Sequence, residues 1–169
     1  MTLAVHRMSF SGALLERGFW LYVWKIASKD GRLVLYVGRT GDSSSHYAAS
    51  PFNRVGQHLD FRPTAKGNAM ARQLASAGID PTGSTFDMIA IGPLFPEQRT
   101  HEAHRPHRDT VAALECRMAK TLTEWGYEVV GTHSSKKPLD KELWARVEDV
   151  LRQHVPRCAH PAWQNGVKS

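Results

Sequence analysis

Cysteine is scarce: two in 169 residues, Cys116 and Cys158. Two cannot build a disulfide framework, and they form no C-x-x-C site, so a small secreted scaffold is excluded and a reducing cytoplasm is the expected setting. Long apolar runs are also missing, and nothing approaches the roughly 20 residues of a membrane-spanning helix. The N-terminal MTLAVHRMSFSGALLERG interrupts its apolar residues with His6 and Arg7 and makes a poor signal peptide. No internal repeat is present.

Positive charge is plentiful. The formal net charge is +6 and the sequence pI is about 9.6, a balance that suits an anionic partner, of which nucleic acid is the commonest. With 41% hydrophobic and 22% charged residues, the composition is that of an ordinary globular chain. Its length supports one domain with a substantial core.

Aromatic and β-branched runs at residues 19–27 and 33–38 read as strands, joined by SKDGR, a hairpin signal. Ser50-Pro51 opens a helix that continues through FNRVGQHL, with proline at the first helical position. A second helix is expected over Asn68–Ala77, closed by Gly78. FDMIAIG, residues 86–92, reads as a third strand. Asp109 is expected to cap a long helix carrying Val111, Leu114, Met118, Leu122 and Trp125 as one stripe. Asp140 is expected to cap the last helix, with Leu143, Trp144, Val147, Val150, Leu151 and Val155 toward the core. The pattern predicts an α+β domain: a small antiparallel three-stranded sheet flanked by helices, in the order β-β-α-α-β-α, with an added C-terminal helix. Residues 1–17 form an extension, 18–135 the domain, 136–155 a helix packed on it and 156–169 a flexible tail.

Several residues on this frame carry chemistry. Arg54 and His58 share one helix face; taken alone, such a pair reads as two solvated residues. Glu115 lies at the edge of an apolar stripe, where a carboxylate needs a compensating partner. An arginine or a divalent cation would serve. Hairpin parity decides whether Tyr22 and Tyr36 cooperate. A two-residue Asp30-Gly31 turn sends them to opposite faces of the sheet. A three-residue Lys29-Asp30-Gly31 loop with left-handed Gly31 sets Tyr36 opposite Trp24 and puts both tyrosines on one face. His101, His104 and His107 in HEAHRPHRD have a regular spacing that suits zinc, but Pro106 and the charge density favour an exposed loop. Cys158 and His160 lack neighbours in sequence, Cys116 is expected to be a buried helix residue, and Lys136 and Lys137 to be solvated.

Together these residues resemble the GIY-YIG nucleases. Trp20-Leu21-Tyr22 stands where the first triplet would be and Tyr36-Val37-Gly38 matches the second. Arg54 and His58 match the arginine and histidine of the following helix, and Glu115 in ALECRMAKTL looks like the metal-binding glutamate. The resemblance runs from Phe19 to the low 130s. It departs from the family in Trp20 for glycine, in a longer gap between the tyrosines, and in VVGTHSS, which lacks the family asparagine and offers Thr132, His133 or Ser134 instead. The resemblance implies Mg²⁺- or Mn²⁺-dependent hydrolysis of DNA phosphodiester bonds. Tyr22 is implied as general base, its ionisation aided by nearby positive charge. Tyr36 and His58 are implied to orient water or relay the proton, Arg54 to neutralise phosphoryl charge, and Glu115 to ligate the metal. Gly38 allows close approach of backbone or substrate, and Arg39 is expected at the rim against a phosphate. A nucleic-acid-binding module of the same fold without catalysis is the alternative. No separate DNA-recognition domain is visible.

Overall fold

The computed structural model describes residues 3–43, 45–62 and 64–157; the expectations for Cys158, His160 and most of the C-terminal tail lie outside these. Strand β1 (Gly18–Ala27) is the spine of the molecule, paired antiparallel on one side with β2 (Leu33–Arg39) and on the other with β3 (Thr85–Pro96). A short fourth strand, β4 (Glu128–Val130), pairs parallel with the outer side of β2, giving the order β3-β1-β2-β4. The fold is α+β as expected, but the sheet has four strands and is mixed rather than three-stranded and antiparallel. Three residues of EVV carry too little pattern to be read as a strand without their partner.

The hairpin closes through Lys29-Asp30-Gly31. Ser28 N–H donates to Arg32 O at 2.9 Å, Gly31 N–H donates to Ser28 O at 3.0 Å, and Gly31 has φ +88°. Tyr36 therefore pairs with Trp24, as the three-residue loop requires.

Side-chain alternation along β1 divides the interior in two. Phe19, Leu21 and Val23 join Leu35 and Val37 of β2 against α3 (His101–Glu124) and α4 (Lys141–His154). From α3 come Val111, Leu114, Met118 and Leu122, and from α4 Trp144, Val147 and Leu151. Tyr22, Trp24 and Ile26, with Val34 and Tyr36, face α1 (Pro51–His58) and α2 (Ala69–Ser76). Ser50 caps α1 by accepting from Asn53 N–H, with Pro51 at the first position. Gly78, at φ +68°, ends α2 as Ile79 N–H donates to Leu74 O at 2.9 Å. Asp140 caps α4 by accepting from Leu143 N–H.

Two expectations about α3 are overturned together. The helix starts at His101, capped by Thr100, and Pro106 lies inside it. HEAHRPHRD is thus helical rather than an exposed loop, and Asp109 is interior to the helix. His104 is buried, and His107 stacks on Phe95 at 4.2 Å between ring centroids. Packing of these rings offsets the hydrogen bond that proline removes. Asp109 instead pairs with Lys137 at 2.7 Å, so Lys137 is not simply solvated.

Candidate active site

The α1/α2 side of the sheet buries polar groups. Tyr22 is 1% exposed and His58 2%, so His58 is no solvated surface residue. Tyr22 Oη lies 2.5 Å from His58 Nε2 and 3.2 Å from Arg39 O. A hydroxyl has one proton and a carbonyl only accepts. Either Tyr22 donates to His58 Nε2 and the ring proton sits on Nδ1, or Tyr22 donates to Arg39 O and accepts from Nε2–H. Burial, reinforced by the Arg54 cation, pushes His58 down to about 4, so the ring is neutral at pH 7. Tyr36 completes the aromatic wall, its ring 5.4 Å from that of His58.

The two tyrosines are protonated. Burial raises Tyr22 well above the ordinary phenol range, and Arg54 opposes this without prevailing. Burial, then the Glu115 charge, pushes Tyr36 up to about 12. Nearby positive charge from Arg54 does favour the ionised form, as expected, but desolvation outweighs this single arginine. Tyr22 can lose its proton only to a partner, and the neutral His58 Nε2 is in contact.

Gly38 gives room to a neighbouring side chain. It is the cross-strand partner of Tyr22, and a Cβ there would lie 2.4 Å from Tyr22 Cε2. The close approach is made by the tyrosine ring. Trp20 is buried and donates from Nε1 to Glu16 O at 3.1 Å.

Arg54 occupies the open side of Tyr22. Its Nη1 donates to Gln57 Oε1 at 2.6 Å, and its Nη2 to Asp42 Oδ2 at 2.5 Å and Arg39 O at 3.5 Å. Arg39 has the strand parity of Leu35 and Val37, which sends its side chain to the α3 face rather than to the tyrosine rim. There its Nε donates to Glu115 Oε2 at 2.8 Å, with the two side chains 19% and 20% exposed. The arginine partner anticipated for Glu115 is thus present. Of Thr132, His133 and Ser134, only His133 is turned inward. Its Nδ1 is 3.9 Å from Glu115 Oε1 and its ring 6.5 Å from that of Tyr36, while Thr132 and Ser134 are exposed.

Seven buried side-chain polar atoms among the described residues have no hydrogen-bond partner, and four of them belong here: Arg39 Nη1, Arg54 Nε, His58 Nδ1 and His133 Nε2. Unsatisfied polar groups are expensive in a folded interior and gather where a ligand or a reaction uses them. Among the described residues Glu115 Oε1 has no close hydrogen-bond donor, His133 Nδ1 lying 3.9 Å away. No group of three or more His, Cys, Asp or Glu that could hold a metal is found among the described residues. A shallow groove of about 380 Å³ along Lys120 and Thr123 shares only His133 with this cluster.

The structure thus brings Tyr22, Tyr36, Arg54 and His58 together and links Glu115 to them through Arg39 and His133. Asp42 and Gln57 were not anticipated, because their roles arise from side chains facing Arg54 and no local pattern marks them. No helix among the described residues is long and apolar enough to cross a membrane. No protein-family model matches the chain, and no curated protein or solved structure is detectably similar to it.

Proposed function

We propose that the protein is a metal-dependent endonuclease of the GIY-YIG type that hydrolyses DNA phosphodiester bonds in the cytoplasm. The convergence of Tyr22, Tyr36, Arg54 and His58 on one sheet face, with Tyr22 Oη 2.5 Å from His58 Nε2, carries this reading. Such a cluster is a poor filler for a core, because it buries donors without partners.

In the proposed reaction, water attacks phosphorus as the bond to the leaving oxygen breaks. The water proton passes to Tyr22 Oη while the hydroxyl's own proton moves to His58 Nε2, so no free phenolate has to form. Tyr36 stays protonated and orients the water. Arg54 faces the phosphoryl oxygens as they gain charge, and its unpaired Nε–H is a donor in waiting. Glu115 Oε1 would hold Mg²⁺ or Mn²⁺, with His133 beside it where the family has asparagine. The ion, when bound, polarises the phosphate and steadies the leaving oxygen. Contacts of this kind address phosphate rather than base edges, so affinity is expected to fall steeply with salt and vary little with sequence.

The Arg39–Glu115 ion pair favours a second reading, a nucleic-acid-binding module of the same fold whose carboxylate has been claimed by a structural partner. Nicking of supercoiled plasmid, with Mg²⁺ and with chelator, separates the two. Mg²⁺-dependent nicking that is lost in Arg54→Gln is the expected result. Salt-sensitive binding without nicking would leave the second.

A further inference from the structure

We propose that Asp42 is a built-in competitor for substrate phosphate: its carboxylate occupies the side of Arg54 that a phosphate needs, and phosphate binding displaces it. This rests on the reading of Arg54 as a phosphate ligand.

The hydrogen-bond accounting of Arg54 leads to Asp42. Nη1 is used by Gln57, and Nη2 reaches back to Arg39 O at 3.5 Å and outward to Asp42 at 2.5 Å. The guanidinium is 13% exposed and Asp42 40%, so the carboxylate lies on the solvent side of the arginine. A phosphate arriving from solvent meets Asp42 first. An acidic group there opposes a polyanion both by occupying the donor and by like charge.

The position of Asp42 is built from beneath, while its carboxylate is held only from the front. Thr40 is fully buried; its N–H donates to Trp20 O at 3.0 Å, and its Oγ1 accepts from Trp20 N–H at 2.8 Å. Gly41 has φ +74°, and a Cβ there would lie 2.4 Å from the Phe19 ring, so only glycine allows the turn that presents Asp42. His104, buried in α3, lies with Nε2 3.1 Å from Gly41 O. The chain is thus clamped up to residue 41. Beyond it, among the described residues, Arg54 is the only group bonded to the Asp42 carboxylate, and that carboxylate can leave by side-chain rotation alone.

The consequence is a cleft that neutralises itself. Asp42 covers Arg54 and Glu115 covers Arg39, so the overall charge of +6 attracts nucleic acid to the surface, while the site engages only a phosphate that can exchange with Asp42.

The test measures binding of a short DNA duplex in chelator at fixed salt, by fluorescence anisotropy, for wild type, Asp42→Asn, Arg54→Gln and the double variant, each checked for an unchanged melting profile. Asp42→Asn is expected to bind about tenfold tighter, and the gain to vanish in the Arg54→Gln background. Asp42→Ser repeats the measurement should the amide itself bond to Arg54. If Arg54→Gln weakens binding but neither Asp42 variant tightens it, the competitor is overturned and the nuclease reading stands. A gain that persists without Arg54 reflects general charge and overturns it too. If Arg54→Gln binds like wild type, Arg54 is no phosphate ligand, and the reading beneath falls with the proposal.

Discussion

The two faces of the sheet are interiors of different kinds, although the same strands supply both. Toward α3 and α4 lies the larger apolar cluster, from Phe19 and Leu21 to Met118 and Leu151, with His104 and Thr121 buried in α3 as well. Toward α1 and α2 the cluster is smaller and contains two tyrosines, with His58 and Arg54 beside them. A strand alternates faces with every residue, so Leu21 and Tyr22 are neighbours in sequence but belong to different interiors. The division follows from this alternation. The α3 and α4 face supplies the larger share of the apolar burial, while orphaned polar atoms lie on both: Trp24 Nε1, Arg54 Nε and His58 Nδ1 toward α1 and α2, and Arg39 Nη1, His104 Nδ1 and Thr121 Oγ1 on or against α3.

The largest effects should separate the faces. Leu114 is fully buried in the α3 cluster, and Leu114→Ala removes its contacts and leaves a cavity, at a cost of about 2–5 kcal/mol. Denaturant unfolding reads this directly. Nicking per folded molecule should be unchanged, and a collapse of nicking in folded protein would mean the faces are not separable.

Lowering the pH should attack the other face. Burial, with the Arg54 cation, holds His58 neutral and pushes it down to about 4, from an ordinary imidazole value of about 6.5. The unfolded chain therefore binds a proton there that the folded chain refuses. Its contribution is fully present above about pH 6.5 and is lost as the pH falls toward 4, on the order of 3 kcal/mol. His107, also lowered by burial, adds to the same slope, so the informative quantity is wild type against His58→Gln. The variant should show a shallower fall in melting temperature over this window. Equal slopes would mean that His58 is charged or exposed in solution.

Much of the frame was legible because it is local. Aromatic and β-branched runs predict β1 and β2, the glycine at position 31 favours the loop that puts both tyrosines on one face, and Ser50-Pro51 and Asp140 mark the starts of α1 and α4. What was not legible depends on partners far along the chain. β4 exists only by pairing with β2, and the first turns of α3 survive Pro106 because His104 and His107 pack on Phe19 and Phe95. Arg54, His58 and Glu115 were readable as candidates from their spacing. The contacts between them were not: Asp42 meets Arg54 across 12 positions and His104 meets Gly41 across 63. The side of Arg39 was in principle readable from the parity it shares with Val37. Its expected place at the rim ignored the face opposite the tyrosines.

Glu115→Gln sharpens the comparison where the faces meet. Glutamine keeps an oxygen for Arg39 Nε but removes the charge from a mostly buried pair. The loss should be about 1–3 kcal/mol in denaturant without metal, below the cost of stranding a fully buried partner. Nicking should collapse, and any rise in melting temperature that Mg²⁺ gives the wild type should disappear. A variant more stable than wild type would mean that the Arg39 pair contributes nothing and the carboxylate is kept for the cation alone.

The smallest effect on stability should accompany a large effect on chemistry. Tyr22→Phe keeps the ring that fills the space over Gly38 and removes one hydroxyl. Arg39 O retains the Arg54 contact at 3.5 Å, and neutral His58 can exchange tautomers to suit its changed surroundings, so unfolding should shift by only about 1 kcal/mol. The proton path from water to His58 would be cut, and loss of a general base costs about 10²–10⁴ in rate. Paired with Leu114→Ala, the two variants should give opposite patterns, one unstable and active when folded, the other stable and inactive. Melting and Mg²⁺-dependent nicking on the same preparations read both axes. A Tyr22→Phe protein that nicks at the wild-type rate would remove Tyr22 from the chemistry and leave the polar face without its proposed base.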